Sequence, residues 1–403
     1  MDLSKIDCIG VIGAGEMGHG IAECCALAGY TVFLKDIKAE ILDKARDRIS
    51  QSLESLGRKH RIKEDQIPVI RDRVQYCLDY AEFSKLPLFC IETVPEIESL
   101  KKKVYQELDE ILDKKAIIAT NTSTISITEL ATASNHPDQF IGMHFFIPPV
   151  IMDPVEVING DQTSEETVEV TRQLTEAIGK IPIMVLKDVP GFMINRVQAP
   201  SSILICKAIE LGIATPNQVD AMSHKMGLPM GPFEIMDLQG LDTVKHATTY
   251  LSEKLGQEFE LPAWFSDLVE NGCLGRKSGK GIFDYSSGHA NIDPDDLPDP
   301  EKLKLMDLIV VQINEACKLI EDGVIEGPAD VDIAIKTGTG NRSGIFGLLA
   351  ADRQGVIDRL DQLADLYQME MFRPIELLKT IVVPNIDKIL KERKKLVKKV
   401  GNY

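Results

Sequence analysis

A chain of 403 residues is too long for one ordinary hydrophobic core, so two or three domains are expected. Its 44% hydrophobic and 27% charged residues suit a globular protein, and no apolar run reaches the ~20 residues that span a bilayer. The formal net charge of −17 disfavours nucleic acid and anionic lipid as partners, and any anionic substrate would need cations at its own site.

Met1-Asp2-Leu3-Ser4-Lys5 runs straight into an apolar stretch without the pattern of a signal peptide, so a cytoplasmic protein is expected. Eight cysteines are scattered without a C-x-x-C pair and sit mostly among apolar neighbours. Reduced core residues are expected there, with neither a disulfide nor a metal site.

In chain order, Ile6 to Ile12 predicts a buried strand, Glu16 to Ala28 a helix closed by Gly29, and Thr31 to Leu34 a second strand. Ile41 to Asp72 reads as a long charged helical stretch interrupted near Gly57, too large for a simple crossover, and is expected to project as an arm. Further strands are predicted at Leu86 to Ile91, Ala116 to Thr120, Phe140 to Met143 and Val155 to Ile158. Strands alternating with helices imply a parallel sheet covered on both faces. Near Lys187-Asp188-Val189-Pro190-Gly191 the alternation gives way to helices, and a stretch rich in proline and aspartate from Ser286 to Pro300 reads as a linker.

Beyond the linker the helical unit repeats weakly. Glu210-Leu211-Gly212-Ile213 with Val219-Asp220 is echoed by Glu321-Asp322-Gly323-Val324 with Val331-Asp332, and Gly231-Pro232-Phe233 by Gly344-Ile345-Phe346. The offset is roughly 112 residues, as an internal duplication would leave. The expected fold is therefore an α/β, Rossmann-type doubly wound sheet over residues 1–187, carrying the arm at about 40–72. An all-α region follows, with a first helical unit over 188–290 and a second over 301–403.

Gly13-Ala14-Gly15-Glu16-Met17-Gly18 follows the first strand and opens a helix. The first glycine permits the tight turn, the second admits the pyrophosphate, and the third lets helix close on strand. Asp36 stands at the end of the second strand, 18 residues after Gly18, where its carboxylate can accept from ribose hydroxyls and repel a 2′-phosphate. NAD is the expected cofactor. A tight structural turn with an unrelated surface aspartate is the competing reading.

With those residues in place, the chain resembles the L-3-hydroxyacyl-CoA dehydrogenase family over roughly residues 5 to 285. The matching stretches are Val11 to Ala22, Asn121-Thr122-Ser123, Ile141 to Phe146, Pro154 to Ile158, Lys187 to Arg196, and Gly275-Arg276-Lys277-Ser278-Gly279-Lys280-Gly281. Within the family it is similar to microbial and archaeal 3-hydroxybutyryl-CoA dehydrogenases with an extended C-terminal region. The resemblance implies His144 as catalytic base and Glu156 as the carboxylate that holds it. Ser123 and Asn195 would hydrogen-bond the reacting end of an acyl-CoA substrate, and Ser52 and Lys59 would contact its nucleotide. Cofactor contacts are implied from Gly13, Gly15, Glu16, Met17, Gly18, Asp36, Thr93, Glu96, Lys101, Ser123 and His144. A homodimer, or an internal pseudo-dimer through the two helical units, is also implied.

The residues themselves allow blander readings. A histidine near a strand end is often structural, Ser123 could cap a turn, and Asn195 could be an ordinary polar residue at a helix start. Alcohol oxidation does need a group titrating near neutral pH, which imidazole supplies, and a buried carboxylate would stabilise its charged form. Arg58, Lys59, His60, Arg61 and Lys63 form a cationic cluster that could be a solvated face or a phosphate site. One departure from the family is Ile147, where asparagine is usual after His-Phe-Phe. The basic tail from Lys388 to Lys399 is read as a surface helix. Three rival functions are weighed: a β-hydroxyacid dehydrogenase with a lysine base, a catalytically silent dinucleotide-binding paralogue, and an enoyl-CoA hydratase, which would need a crotonase domain that the sequence does not display.

Overall fold

The computed structural model describes residues 2–400 other than 84, 340 and 342. The described residues form one eight-stranded sheet in the order β3-β2-β1-β4-β5-β6-β7-β8. Its strands are β1 (Cys8–Ile12), β2 (Thr31–Lys35), β3 (Val74–Cys77), β4 (Phe89–Glu92), β5 (Ile117–Thr120), β6 (Phe140–Phe145), β7 (Pro154–Ile158) and β8 (Ile181–Val185). Strands β1 to β6 are parallel in the 3-2-1-4-5-6 order of dinucleotide-binding folds; β7 pairs antiparallel with β6, and β8 parallel with β7. Every residue of β1 is buried, as expected of a central strand covered on both faces.

The helices of this part are α1 (Glu16–Leu27), α2 (Ala39–Arg58), α3 (Ile67–Asp72), α4 (Glu98–Ile111), α5 (Ile127–Ala131) and α6 (Glu165–Ala177). The helical part adds α7 (Ile194–Glu210), α8 (Pro216–Lys225), α9 (Pro232–Gln239), α10 (Leu241–Leu255), α11 (Ala263–Glu270), α12 (Leu305–Glu321), α13 (Pro328–Gly338), α14 (Phe346–Ala351), α15 (Arg353–Tyr367), α16 (Leu377–Thr380) and α17 (Ile386–Val400). No described helix is long and apolar enough to cross a membrane.

The predicted strands all form, and two more were not foreseen. β3 is short and only half-buried, and β8 carries Pro182, which argues against a central strand; both lie at sheet ends, where a missing N–H is tolerated. The arm differs from expectation. Leu42, Ala45, Ile49 and Leu53 of α2 point into the core with Ile70 of α3, so α2 is packed along one face instead of projecting.

The chain divides into two compact units that do not follow the linear domain order. The first comprises Met1–Phe192, Gly323–Gly344 and Pro384–Tyr403; the second comprises Met193–Asp322 and Ile345–Val383. The expected second helical unit is thus split, because α13 and α17 are built onto the sheet. In the first unit α13 packs against β7 and β8, and α17 against β8 and α6. Arg393 of α17 pairs with Asp330 of α13 at 2.8 Å and donates to the Pro182 carbonyl of β8. Lys336 pairs with Asp387 at 2.7 Å, and Lys394 with Asp153 at 3.4 Å. The β8 edge is therefore covered by a helix from the chain's end, one of the ways proteins guard an open strand.

In the second unit α7 and α12 pack side by side. Arg196 pairs with Glu315, Ser201 Oγ donates to Leu308 O, and Gln312 Nε2 donates to Ser201 Oγ, so partners descend on one helix as they rise on the other. The two helices run antiparallel. The repeat is visible in the local geometry: α7 and α12 each span 17 residues, and each is followed by a glycine with φ of 66° (Gly212, Gly323). A proline-initiated helix comes next, and then a glycine that leaves room only for an aspartate behind it, Asp220 against Gly231 and Asp332 against Gly344.

Candidate active site

The glycine loop is shaped by three different demands. Gly13 has φ of 103°, and a Cβ there would lie 2.8 Å from the Thr93 backbone at the end of β4. Thr93 in turn donates its hydroxyl to the Gly13 carbonyl at 2.8 Å, tying β4 to the loop. A side chain on Gly18 would fall onto the Gly13 carbonyl, so this glycine lets α1 close on β1. Gly15 differs, since a Cβ there would meet nothing within 4 Å. Open space beside the first N–H groups of α1 is what a pyrophosphate requires. Asp36 lies just past β2 and accepts from Ala14 N at 2.9 Å and Lys38 N at 3.2 Å, holding a carboxylate at the rim of the loop. A dinucleotide fits these residues. Glu16 accepts from Arg48 at 2.6 Å, and Met17 packs against the core.

Beside the loop lies a buried ionic network. The Glu92 carboxylate at the end of β4 accepts from Lys101 Nζ (2.9 and 3.1 Å), Tyr105 Oη (2.5 Å), Thr120 Oγ1 (2.8 Å) and Val94 N (2.6 Å). Lys101 is only 1% exposed and also pairs with Glu96 at 3.3 Å. It thus joins the Glu92 and Glu96 carboxylates. Glu96 Oε1 accepts from Thr122 Oγ1, Ser123 N, and both N and Oγ1 of Thr124, at 2.5–3.1 Å. Burial pushes the Glu96 carboxyl up, but Lys101 and these hydrogen bonds outweigh it and leave it below its ordinary value. The clamp fixes the turn that carries Ser123. Asp188 extends it by accepting from Ser126 Oγ at 2.6 Å and Thr128 N at 2.9 Å at the start of α5.

His144 is on β6 and Glu156 directly opposite it on β7. Antiparallel register puts both side chains on one face, and His144 Nδ1 lies 2.6 Å from Glu156 Oε2. A carboxylate only accepts, so Nδ1 carries the proton, and in the neutral imidazole Nε2 is left with a lone pair. Glu156 is fully buried and His144 partly so. Two aromatic rings flank the imidazole: Phe146 at 5.9 Å and Phe192 at 6.0 Å between centroids. Phe192 has φ of 50°, a conformation that costs a bulky residue ~1–3 kcal/mol and marks a place where ring position matters. Asn121 Oδ1 accepts from Phe145 N at 2.8 Å and anchors the end of β6. Ile147, the departure from the family pattern, is 59% exposed.

Ser52 sits half-buried on α2, and Lys59 is exposed at its C-terminal end. Arg58, His60, Arg61 and Lys63 are exposed around it, so the cationic cluster stays a local surface feature. Asn195 belongs to the second unit, in the first turn of α7. Sequence reasoning missed Glu92, Tyr105, Asp188, Phe146 and Phe192 as parts of the site. Phe146 and Phe192 fell inside matched stretches, but only the tertiary structure shows that their rings flank the histidine.

Models of the 3-hydroxyacyl-CoA dehydrogenase NAD-binding domain and C-terminal domain match residues 8–189 and 191–285. A probable 3-hydroxybutyryl-CoA dehydrogenase of Deinococcus radiodurans is 38% identical over 278 residues, covering 68% of this chain and 99% of that protein. The fatty acid oxidation complex subunit alpha of a Psychrobacter species is 34% identical over 349 residues; this covers 82% of the chain but 48% of that subunit, so the chain spans about half its length. The crystal structure of 3-hydroxybutyryl-CoA dehydrogenase from Escherichia coli K12 superposes with a TM-score of 0.84 at 26% identity, over 93% of this chain and 98% of that one. That of (S)-3-hydroxybutyryl-CoA dehydrogenase from Ralstonia eutropha gives 0.66 at 35% identity, over 70% and 100%. With a complete dinucleotide loop and both domain models matched in order, the chain belongs to the 3-hydroxyacyl-CoA dehydrogenase family of NAD-dependent oxidoreductases.

Proposed function

We propose that this protein interconverts (S)-3-hydroxyacyl-CoA and 3-oxoacyl-CoA esters, with the short-chain pair 3-hydroxybutyryl-CoA and acetoacetyl-CoA as its principal substrates. The observation that carries the reading is the His144–Glu156 pair at 2.6 Å, with Nε2 of the imidazole left to act. Bound NAD supplies the hydride acceptor for C3. In oxidation His144 Nε2 takes the proton of the 3-hydroxyl as hydride leaves C3, and in reduction it returns that proton to the carbonyl oxygen. The Glu156 carboxylate, held at Nδ1, keeps the imidazole in the right tautomer and stabilises the imidazolium formed during oxidation. Ser123, on the turn clamped by Glu96, is proposed to hydrogen-bond the 3-oxygen, and Asn195 to contact the same end of the substrate. Ser52 and Lys59 are proposed to hold the CoA nucleotide. The short acyl chain is supported by the similar proteins of Deinococcus radiodurans, Escherichia coli and Ralstonia eutropha, each named for 3-hydroxybutyryl-CoA.

The test is oxidation of NADH by wild-type and His144→Gln protein with acetoacetyl-CoA and with longer 3-oxoacyl-CoA esters. His144→Gln should keep NADH binding and lower kcat by ~10²–10⁴-fold. Turnover near wild type would end the assignment of the base. Better efficiency with long chains than with acetoacetyl-CoA would overturn the substrate assignment alone.

A further inference from the structure

β6 and β7 end together next to the histidine pair. Phe146 follows β6 with its ring centroid 5.9 Å from that of His144, and Pro154 lies two residues before Glu156 on β7. The register sets His144 opposite Glu156 and Phe145 opposite Val155, and Phe146 and Pro154 flank that last pair. The last turn of α13 rests on those two residues at Gly338. A Cβ on Gly338 would lie 2.6 and 2.7 Å from Cδ1 and Cε1 of Phe146 and 2.8 Å from Cγ of Pro154. Real side chains do not approach so closely, so glycine is what allows this helix to sit down on the end of the hairpin. The φ of Gly338 is not positive, and close approach is its requirement.

We infer that Gly338 is a positioning residue for the reaction: by letting α13 seat against Phe146, it holds the Phe146 ring beside His144 and thereby sets the orientation of the base. The inference rests on the assignment of His144 proposed above. Nothing in the N-terminal fingerprint or the strands calls for this contact; it is supplied from 194 positions further along the chain than His144. The imidazole is fixed at Nδ1 by Glu156, but that single bond leaves the ring free to tilt about its own axis. The rings of Phe146 and Phe192 limit the tilt. Phe192 is held by its own turn, where its N–H donates to Val189 O at 2.9 Å. Phe146 follows the last residue of β6 and has α13 as its backstop. Since the ring is hemmed on the α13 side, an added methyl at 338 must displace it from its place beside the imidazole or lift the helix away.

The test is a double-mutant cycle on the full chain with Gly338→Ala, Phe146→Leu and both together, each checked for folding by circular dichroism and thermal melting. Gly338→Ala should lower kcat roughly 10- to 100-fold, the scale of a displaced reacting group, while KM for NADH stays within about twofold. Phe146→Leu should lower kcat in the same way. The double variant should be no slower than the slower single, because the two residues act through one ring. Wild-type kcat in a folded Gly338→Ala protein, or losses that multiply in the double variant, would overturn the inference. Should Gly338→Ala fail to fold, Phe146→Leu decides alone, and wild-type kcat there overturns it. The base assignment is read separately from His144→Gln. If that variant is fully active, the base assignment fails; if it is inactive while Gly338→Ala is fully active, only the role of Gly338 does.

Discussion

Glu23 is buried and Glu96 half-buried, and their carboxyl groups move in opposite directions. Glu96 has Lys101 and four hydrogen-bond donors, and its carboxyl sits below the ordinary value despite burial. Glu23, on α1 and 1% exposed, has no such ring of donors, and neither oxygen meets a donor at full hydrogen-bond geometry among the described residues. Burial pushes its carboxyl up to about 7, against the smaller opposing effects of the nearby Ser52 hydroxyl and Lys180 ammonium. A carboxyl whose folded value lies above its unfolded one disfavours the fold once ionised. Stability should therefore fall as pH rises from about 4.5 to about 7 and stay lower above that. Glu23→Gln keeps the shape and removes the charge, so it should raise Tm at pH 8, by the equivalent of up to about 3 kcal/mol, and hardly change it at pH 4.5. Melting curves at the two pH values check this; an equal effect at both would mean that ionisation is not the cause.

Elements in this protein are joined at the carboxyl ends of strands. β4 ends in Glu92 and β5 in Thr120, which share one network with α4 through Lys101 and Tyr105. Such a buried pair adds little against an apolar replacement of both partners, but loss of one partner leaves an uncompensated charge. Lys101→Met strands Glu92 and weakens the Glu96 clamp on the Ser123 turn. It should cost about 3–5 kcal/mol by urea denaturation. Glu92→Gln in the same background should recover part of that loss; failure to recover any would mean that bulk, not charge, holds the three elements together. The β6–β7 hairpin shows a similar economy, since one register brings base and carboxylate together without any loop having to deliver them.

At the scale of the whole molecule, charge and chain order matter. The protein carries −17, so a CoA ester must be drawn in locally, and the exposed cluster around Lys59 is the cationic surface at the end of α2. Lys59→Ala should raise KM for acetoacetyl-CoA and leave kcat nearly unchanged, because it removes binding common to ground and transition states. The effect should shrink with added salt. Equal KM in both proteins at low salt would dismiss the cluster as a solvated face. Chain order enters through α17, which closes the first unit by pairing with α13 and β8. Ending the chain at Val383 removes Arg393, Lys394 and Asp387 together, exposes the β8 edge and frees α13. Tm should drop by several degrees and kcat should fall with it. A truncated protein with the melting curve and turnover of the full chain would show α17 to be dispensable.

Much of this was legible in the sequence because it depends on local rules. The glycine loop needs glycines at three positions for three separate reasons, and Asp36 must follow at the end of the next strand, so both can be read from spacing. The repeat of helix, left-handed glycine and proline-initiated helix is likewise a local pattern. Strand β3 escaped because it is short and half-buried, and β8 because Pro182 weakens its strand signal, as a sheet end tolerates. Only the tertiary structure decided the rest. His144 and Glu156 lie 12 residues apart in a pattern that no periodicity marks, and antiparallel pairing is what makes them neighbours. The burial of Lys101 between Glu92 and Glu96 is likewise decided by which strand end faces α4. The return of α13 and α17 to the sheet has no trace in local sequence, because it is set by which apolar faces remain uncovered after every other element has folded.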